Sequence, residues 1–362
     1  MCITFKALEI GSGDAFLLEN GDWRCLFDAG GSKKQIVSLL NSKHINHINL
    51  AICSHNDIDH ANGFLGIFAS GIHVDEIWLP GLWGHIIQFV KENRAEVFYR
   101  LLEDRGCDYR EECMQEYNLQ YYKELFDEKY EAISIERFDD ELGSLFAFYE
   151  YEYEYLHSYR LLHRIPYHSI HEFSRLALSL DRIMKIAAAA YESGCLIRWF
   201  EPTIGCKIRP IKYNLCSLNS DEVIKIKKLR DFNCFYRALS LTETNHLSLT
   251  FEYYTNGEPI IRFSADSDCT CQSMVYKNSI IITAPHHGSE ANSNVYQCIK
   301  GNDIIWVRSD RKSRIRPCDT FKKLASKYCL ACANRNAKSE ISFRYNRMQK
   351  KWIHLSGMHC NC

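Results

Sequence analysis

What this chain lacks narrows the field before any motif is read. No stretch approaches the roughly twenty consecutive apolar residues of a membrane span, and Met1 leads directly into a β-type run without a basic and apolar leader. A cytoplasmic location with no membrane partner is the expectation. Charge of one sign is missing too, because a formal net charge of −1 gives no global attraction to nucleic acid. Missing as well are the paired Cys-x-x-Cys spacings of a usual structural zinc site. The nearest approaches are Cys269-Thr-Cys271, Cys329-Leu-Ala-Cys332 and the tail Met358-His359-Cys360-Asn361-Cys362. The 17 cysteines are odd in number and come without a secretion signal, which points to reduced thiols used mainly for packing.

What is present is a dense group of ligand-type side chains. Ser54-His55-Asn56-Asp57-Ile58-Asp59-His60 follows the apolar run Ile48 to Cys53, so two imidazoles and two carboxylates leave the end of a buried strand on a rigid edge. Imidazole suits zinc, manganese and iron, while carboxylates favour harder ions and let two cations lie close together. The plainer reading is an Asx-rich turn that opens a helix, with Asp57 or Asp59 as its cap and the histidines solvated.

The first third alternates β-rich runs with turns: Ile3 to Ile10, Phe16 to Glu19, Trp23 to Phe27, Leu50 to Cys53 and Glu76 to Leu79. From about 85 to 194 the apolar residues recur at helical spacing, as in Ile87, Val90, Val97 and Leu101, then Leu176, Leu180, Ile183 and Ala187. This predicts a helical insertion between the segments 1–84 and 195–362, placed as a cap over the strand edge or as a surface for a protein partner. Within it Tyr149, Tyr151, Tyr153 and Tyr155 alternate with Glu150, Glu152 and Glu154, an extended pattern whose acidic face would repel a polyanion. Strands resume at Leu196 to Phe200 and Ile208 to Tyr213, and Asn256-Gly257 marks a hairpin between Leu247–Tyr254 and Ile260–Ser264. After the apolar strand Ile304 to Val307 come Arg308, Arg311, Lys312, Arg314 and Arg316, opposed by Asp310 alone. That loop reads equally as a solvated basic turn or as a phosphate clamp.

The pattern His-x-Asp-x-Asp-His resembles the metal motif of the metallo-β-lactamase fold, in the variant of the hydrolase domain of the ComEC/Rec2 DNA-uptake proteins. Gly11-Ser-Gly-Asp14-Ala15 is similar to that family's Gly-Gln-Gly-Asp-Ala turn, and Phe27-Asp28-Ala29-Gly30-Gly31 ends the next hairpin strand. Thr244-Asn245-His246-Leu247-Ser248-Leu249, Phe263-Ser264-Ala265-Asp266 and Pro285-His286-His287-Gly288-Ser289 match later blocks in the family's order. Two departures stand out. Ala265 replaces a Gly, which is tolerable if the turn needs no positive φ, and Arg316-Pro317 stands where many relatives carry His-Pro.

The resemblance implies a four-layer αββα sandwich and two divalent metal ions, manganese or zinc. His55 and Asp57 would hold one metal, Asp59 and His60 the other, and Asp266 would bridge. His286 is expected as the remaining ligand, with His287 contacting substrate or protonating a leaving group; His246 either completes the first metal's set or is only hydrogen-bonded. Asp14 and Asp28 would orient histidines or fix turns. The implied chemistry is hydrolysis by a metal-activated hydroxide, first of phosphodiesters, with a nucleic acid or nucleotide as substrate and Arg308, Arg311, Arg314 and Arg316 pairing with phosphate. Small esters, lactones or thioesters on the same fold, and a non-catalytic metal-containing sensor, are the alternatives.

Overall fold

The computed structural model describes residues 2–94, 96–97, 100, 125–126, 132–146, 170–203, 209–241, 247–267, 274–310, 316–330, 340–356 and 360. The chain is a mixed α/β protein built on two large sheets. In the first, β1 (Ile3–Ala7), β2 (Phe16–Asn20) and β3 (Trp23–Phe27) pair antiparallel, and β4 (His47–Ile52), β5 (His73–Pro80) and Leu196–Pro202 continue parallel to β3. Ser220–Glu222 closes one edge, and Ile341–Asn346 with Lys351–Ser356 the other, making nine strands. The second sheet has seven strands; at its centre Glu258–Phe263, Ile280–Thr283 and Ile304–Arg308 run parallel.

The central strands are buried on both faces, which is why they read as continuous apolar runs. Phe16, Leu18, Cys25, Phe27, Leu50 and Ile52 share one cluster with Phe251, Tyr253, Phe263, Ile281 and Val307 of the second sheet. Their neighbours Leu17, Leu26 and Ala51 face the other way, onto helices α1 (Lys33–Ser42), α2 (Ile58–Ala69) and α3 (Gly81–Glu92). The outer face of the second sheet carries Ile280, Ile282 and Trp306 against Tyr296 and Phe321. Phe27 and Phe263 stack across the sheet interface at 4.6 Å, a contact worth about 1 kcal/mol beyond its buried area. Phe27 immediately precedes Asp28, and Phe263 lies three residues ahead of Asp266.

The predicted insertion is mainly helical where it is described: Gly81–Glu92 runs into it, and residues 135–146 and the long helix Ile170–Glu192 follow, but Ile133–Ser134 is a short strand paired antiparallel with Lys225–Ile226 and Phe126 bridges Leu229. Phe138, Leu142, Leu180, Ile183 and Ala187 join the cluster on the outer face of the first sheet. Helix α3 begins at Gly81, ahead of the expected boundary at 84/85. The Asn256-Gly257 hairpin forms with both residues at positive φ and with Thr255 opposite Glu258. Among the described residues, the strand expected at Ile208 to Tyr213 is Arg209–Pro210, since Tyr213 and Asn214 take positive φ and turn the chain; Ile208 lies outside them. Leu101 and the alternating Tyr149 to Tyr155 segment lie outside the described residues.

Glu76 ties the rim of the two sheets together. Its buried carboxylate accepts from Trp78 Nε1 at 2.6 Å, Lys212 Nζ at 2.7 Å and Tyr213 OH at 3.1 Å. Burial opposes its ionisation, but these donors and Arg198 outweigh burial and hold the pKa below the ordinary 4.5. A carboxylate with a depressed folded pKa stabilises above its unfolded pKa and loses that contribution as pH falls through the folded one. Glu76→Gln should therefore cost about 1–3 kcal/mol in urea denaturation at pH 7, and the difference should shrink as the pH drops below 4.5. An equal loss at both ends of that range would remove the charge from the account.

Candidate metal centre

The parallel strands of both sheets end at one edge, and the loops leaving them converge. Strand β4 delivers His55 to His60, and β3 delivers Asp28. In the second sheet Glu258–Phe263 leads to Asp266, Ile280–Thr283 to His286 and His287, and Ile304–Arg308 to Asp310. The turn after β1 supplies Asp14. It approaches so closely that a Cβ on Gly13, which has φ +87°, would lie 1.5 Å from the Asp59 carbonyl oxygen. Only glycine fits there.

Asp266, 3% exposed, stands at the centre. Its Oδ1 lies 3.1 Å from His60 Nε2 and 3.7 Å from His287 Nε2; its Oδ2 lies 3.5 Å from His286 Nε2 and 3.8 Å from His55 Nε2. Asp59 Oδ2 adds to the first group, 3.3 Å from His287 Nε2, and Asp57 Oδ2 to the second, 3.6 Å from His55 Nε2. Asp57 does occupy the N-cap position of α2, but its side chain makes no cap hydrogen bond. The cap reading of the motif thus gives the position of Asp57 and not the use of its carboxylate.

The other ring nitrogen of every one of these histidines meets an acceptor. His60 Nδ1 is 2.8 Å from Asp28 Oδ2, and His287 Nδ1 is 3.0 Å from Asp14 Oδ1. His286 Nδ1 is 3.2 Å from Asn292 Oδ1, and His55 Nδ1 is 2.8 Å from Ser54 Oγ, whose own proton goes to Asp28 Oδ2. Carboxylate and amide oxygens accept only, so the imidazole protons sit on Nδ1 and the Nε2 lone pairs point inward. His60 Nε2 and His287 Nε2 face each other at 3.1 Å. Such an array repels itself unless positive charge fills it. Without a cation that charge is protons: burial disfavours imidazolium, yet Asp266 and Asp28 raise the pKa of His60, and Asp14 and Asp266 push His287 up to about 10. Burial likewise opposes ionisation of Asp266, but His60 and His287 hold its pKa well below the carboxylate range.

The residues present fit divalent ions. Asp14, His60, Asp266 and His287 offer donor atoms within 4.8 Å of one another, as do His55, Asp57 and Asp266. His55 Nε2 is buried with no hydrogen-bond partner, as a donor reserved for a cation would be.

Three expectations change. Of the two rings expected to divide ligand and substrate contact, that of His287 is wholly buried, whereas that of His286, expected as the ligand, is 23% exposed. Both residues adopt positive φ, which sends consecutive rings to different sides of the cluster. Ala265 also takes positive φ, at 47°, so the turn does demand the conformation that glycine would adopt more easily. Arg308 is no phosphate clamp. It is 1% exposed, and its guanidinium donates to the His287 carbonyl at 2.6 Å and to Cys329 Sγ at 3.0 Å and pairs with Asp310. Arg316 does reach the site, its Nη2 3.0 Å from His286 Nε2. Arg311, Lys312, Arg314, Asn245 and His246 lie outside the described residues, as do Cys269, Cys271, Cys332, His359 and Cys362.

Sequence reasoning missed Ser54, Asn292 and Asp310. Ser54 had a signal, its place beside His55, and Asp310 had one as the acid within the basic loop; Asn292 had none. The chain matches no protein-family model, and no curated protein is similar to it at a significant level.

Asp28 holds His60 directly and His55 through Ser54. Replacing it with Asn, which keeps the shape but loses the charge and places a donor at one of the two oxygen positions, should weaken zinc or manganese binding by about 10- to 100-fold in calorimetry. Unchanged affinity in a folded Asp28→Asn protein would show that the rings need no such anchor.

Proposed function

We propose that this chain is a two-metal hydrolase of the metallo-β-lactamase fold, acting on phosphodiesters of a nucleic acid or nucleotide. The observation that carries the reading is the division around Asp266: two Nε2 atoms face Oδ1, two face Oδ2, and every Nδ1 is anchored. A role that needed only one stabilising ion would not require this doubled set. The blocks resembling the uptake-protein hydrolase domain support it, because those within the described residues, from Gly11–Ala15 to Pro285–Ser289, lie at this one edge. The layering of helices outside two sheets that share a core agrees with the four-layer sandwich.

Asp266, Asp59, His60 and His287 would hold one ion, and Asp266, Asp57, His55 and His286 the other. Two divalent ions, when bound, supply a nucleophile from water at neutral pH and neutralise charge on the attacked group. The protein's own part is positional. Asp14, Asp28, Ser54 and Asn292 fix the four rings, and the inter-sheet core excludes water from beneath them. Arg316, beside the most exposed of the four rings, is the cation placed to pair with a phosphate oxygen. The carboxylate-rich donor set suits manganese at least as well as zinc.

Manganese- and zinc-dependent hydrolysis of a generic phosphodiester, cyclic dinucleotides and single- and double-stranded DNA tests the proposal. Asp59→Ala should lower turnover at least about 100-fold, and Arg316→Ala should weaken phosphodiester use by about 10-fold or more. Metal binding without turnover of any of these substrates would transfer the reading to small esters, lactones or a binding role.

A further inference from the structure

A second set of donors sits at the opposite end of the same parallel strands. His47 opens β4, His73 opens β5, and the ladder pairs them directly. Asp75 lies two residues along β5 and so shares the face of His73. His47 Nε2 is 2.8 Å from Asp75 Oδ1, and His73 Nε2 is 3.1 Å from the same oxygen. The two rings stack with centroids 5.4 Å apart. Asn49, two residues after His47, steadies the group from behind: its Nδ2 donates to Asp75 Oδ2 at 3.0 Å, and its Oδ1 accepts from the Arg24 backbone at 2.9 Å. The carboxylate is thereby oriented with one oxygen toward Asn49 and the other between the two imidazoles.

We propose that His47, His73 and Asp75 form a zinc site, distinct from the centre at Asp266. Their three donor atoms lie within 4.8 Å of one another. Zinc–ligand bonds of about 2.1 Å in a tetrahedron set the donors roughly 3.4 Å apart, so the two imidazole–carboxylate distances need to open only slightly. The side chains have room to do so, being 41%, 62% and 41% exposed for His47, His73 and Asp75. Two imidazoles and a carboxylate with solvent at the fourth position suit zinc over calcium or magnesium, which prefer oxygen ligands. Strand β4 runs from His47 to Ile52 before the loop that carries His55, about 16 Å of extended chain, so the two centres share no ion and this proposal does not rest on the hydrolase reading. A cation here joins the starts of two neighbouring strands and stabilises the folded state in proportion to its occupancy.

The test counts zinc bound to the full chain by calorimetry and by metal analysis after dialysis, in wild type, His47→Ala and His73→Ala. Both exposed substitutions should keep the far-ultraviolet circular dichroism of the wild type, so a folding failure is visible if it occurs. Wild type is expected to bind one equivalent more than either variant, to show a zinc-dependent rise in melting temperature that both variants reduce, and to leave Asp59→Ala with this equivalent intact. Equal stoichiometry and equal affinity in wild type and both folded variants overturns the site, whatever happens at Asp266.

Discussion

The constraint on which this structure depends is negative charge held away from water. Asp14, Asp28 and Asp266 are buried, and Asp57 and Asp59 stand beside them. Two like charges a few ångströms apart repel by about 4 kcal/mol at an effective dielectric constant of 20, so the group is tolerable only with cations among its members. The histidines cannot supply them comfortably as imidazolium. With Nδ1 committed to Asp28 and Asp14, charging both His60 and His287 sets two N–H groups head to head across 3.1 Å. A divalent ion held by the two Nε2 atoms would supply the positive charge without those two protons.

Holding the array has a conformational cost as well. Asp28, Ala265, His286, His287 and Asp310 all adopt positive φ, and all lie at this edge. None is glycine, and residues in this region are less stable by about 1 kcal/mol or more each. The strain persists because rigid structure stands beneath it: the Phe27–Phe263 stack, the parallel ladders and the buried Arg308, which grips the His287 carbonyl. Five of the ten non-glycine residues with positive φ among the described residues are thus collected at this one edge.

Much of this was legible in the sequence where the information is local. His55 to His60 stand together in the chain, Trp23–Phe27 is the strand the alternation predicts, and the helical spacing of Leu180, Ile183 and Ala187 marks a helix. The resemblance implies that Asp14 and Asp28 orient histidines, but which ring each holds was hidden because the partners lie far apart in the chain: Asp14 reaches His287 across 273 residues, and Asp28 reaches His60 across 32. Arg308 misled because a basic residue at a strand end usually points to solvent, whereas this strand is covered on both faces and its last side chain is needed inside. The different sides of the cluster taken by the His286 and His287 rings follow from backbone angles that two identical letters do not encode.

The same geometry explains why the insertion matters to the metal edge. Within the stretch from His55 to His60, Asn56 is the polar residue that does not face Asp266. It turns toward the helix Ile170–Glu192 instead, where its Nδ2 donates to the Ser179 carbonyl at 3.0 Å and to Ser179 Oγ at 2.6 Å, while Arg182 donates to its backbone oxygen. The loop is therefore gripped from both sides, by Asp28 through Ser54 and His60 and by the insertion through Asn56. A loop so held pays its ordering cost during folding and not when a cation or substrate arrives, which is the condition for tight and specific binding. The helix Ile170–Glu192 thus helps to hold the loop that carries His55 and Asp57, through Asn56 between them.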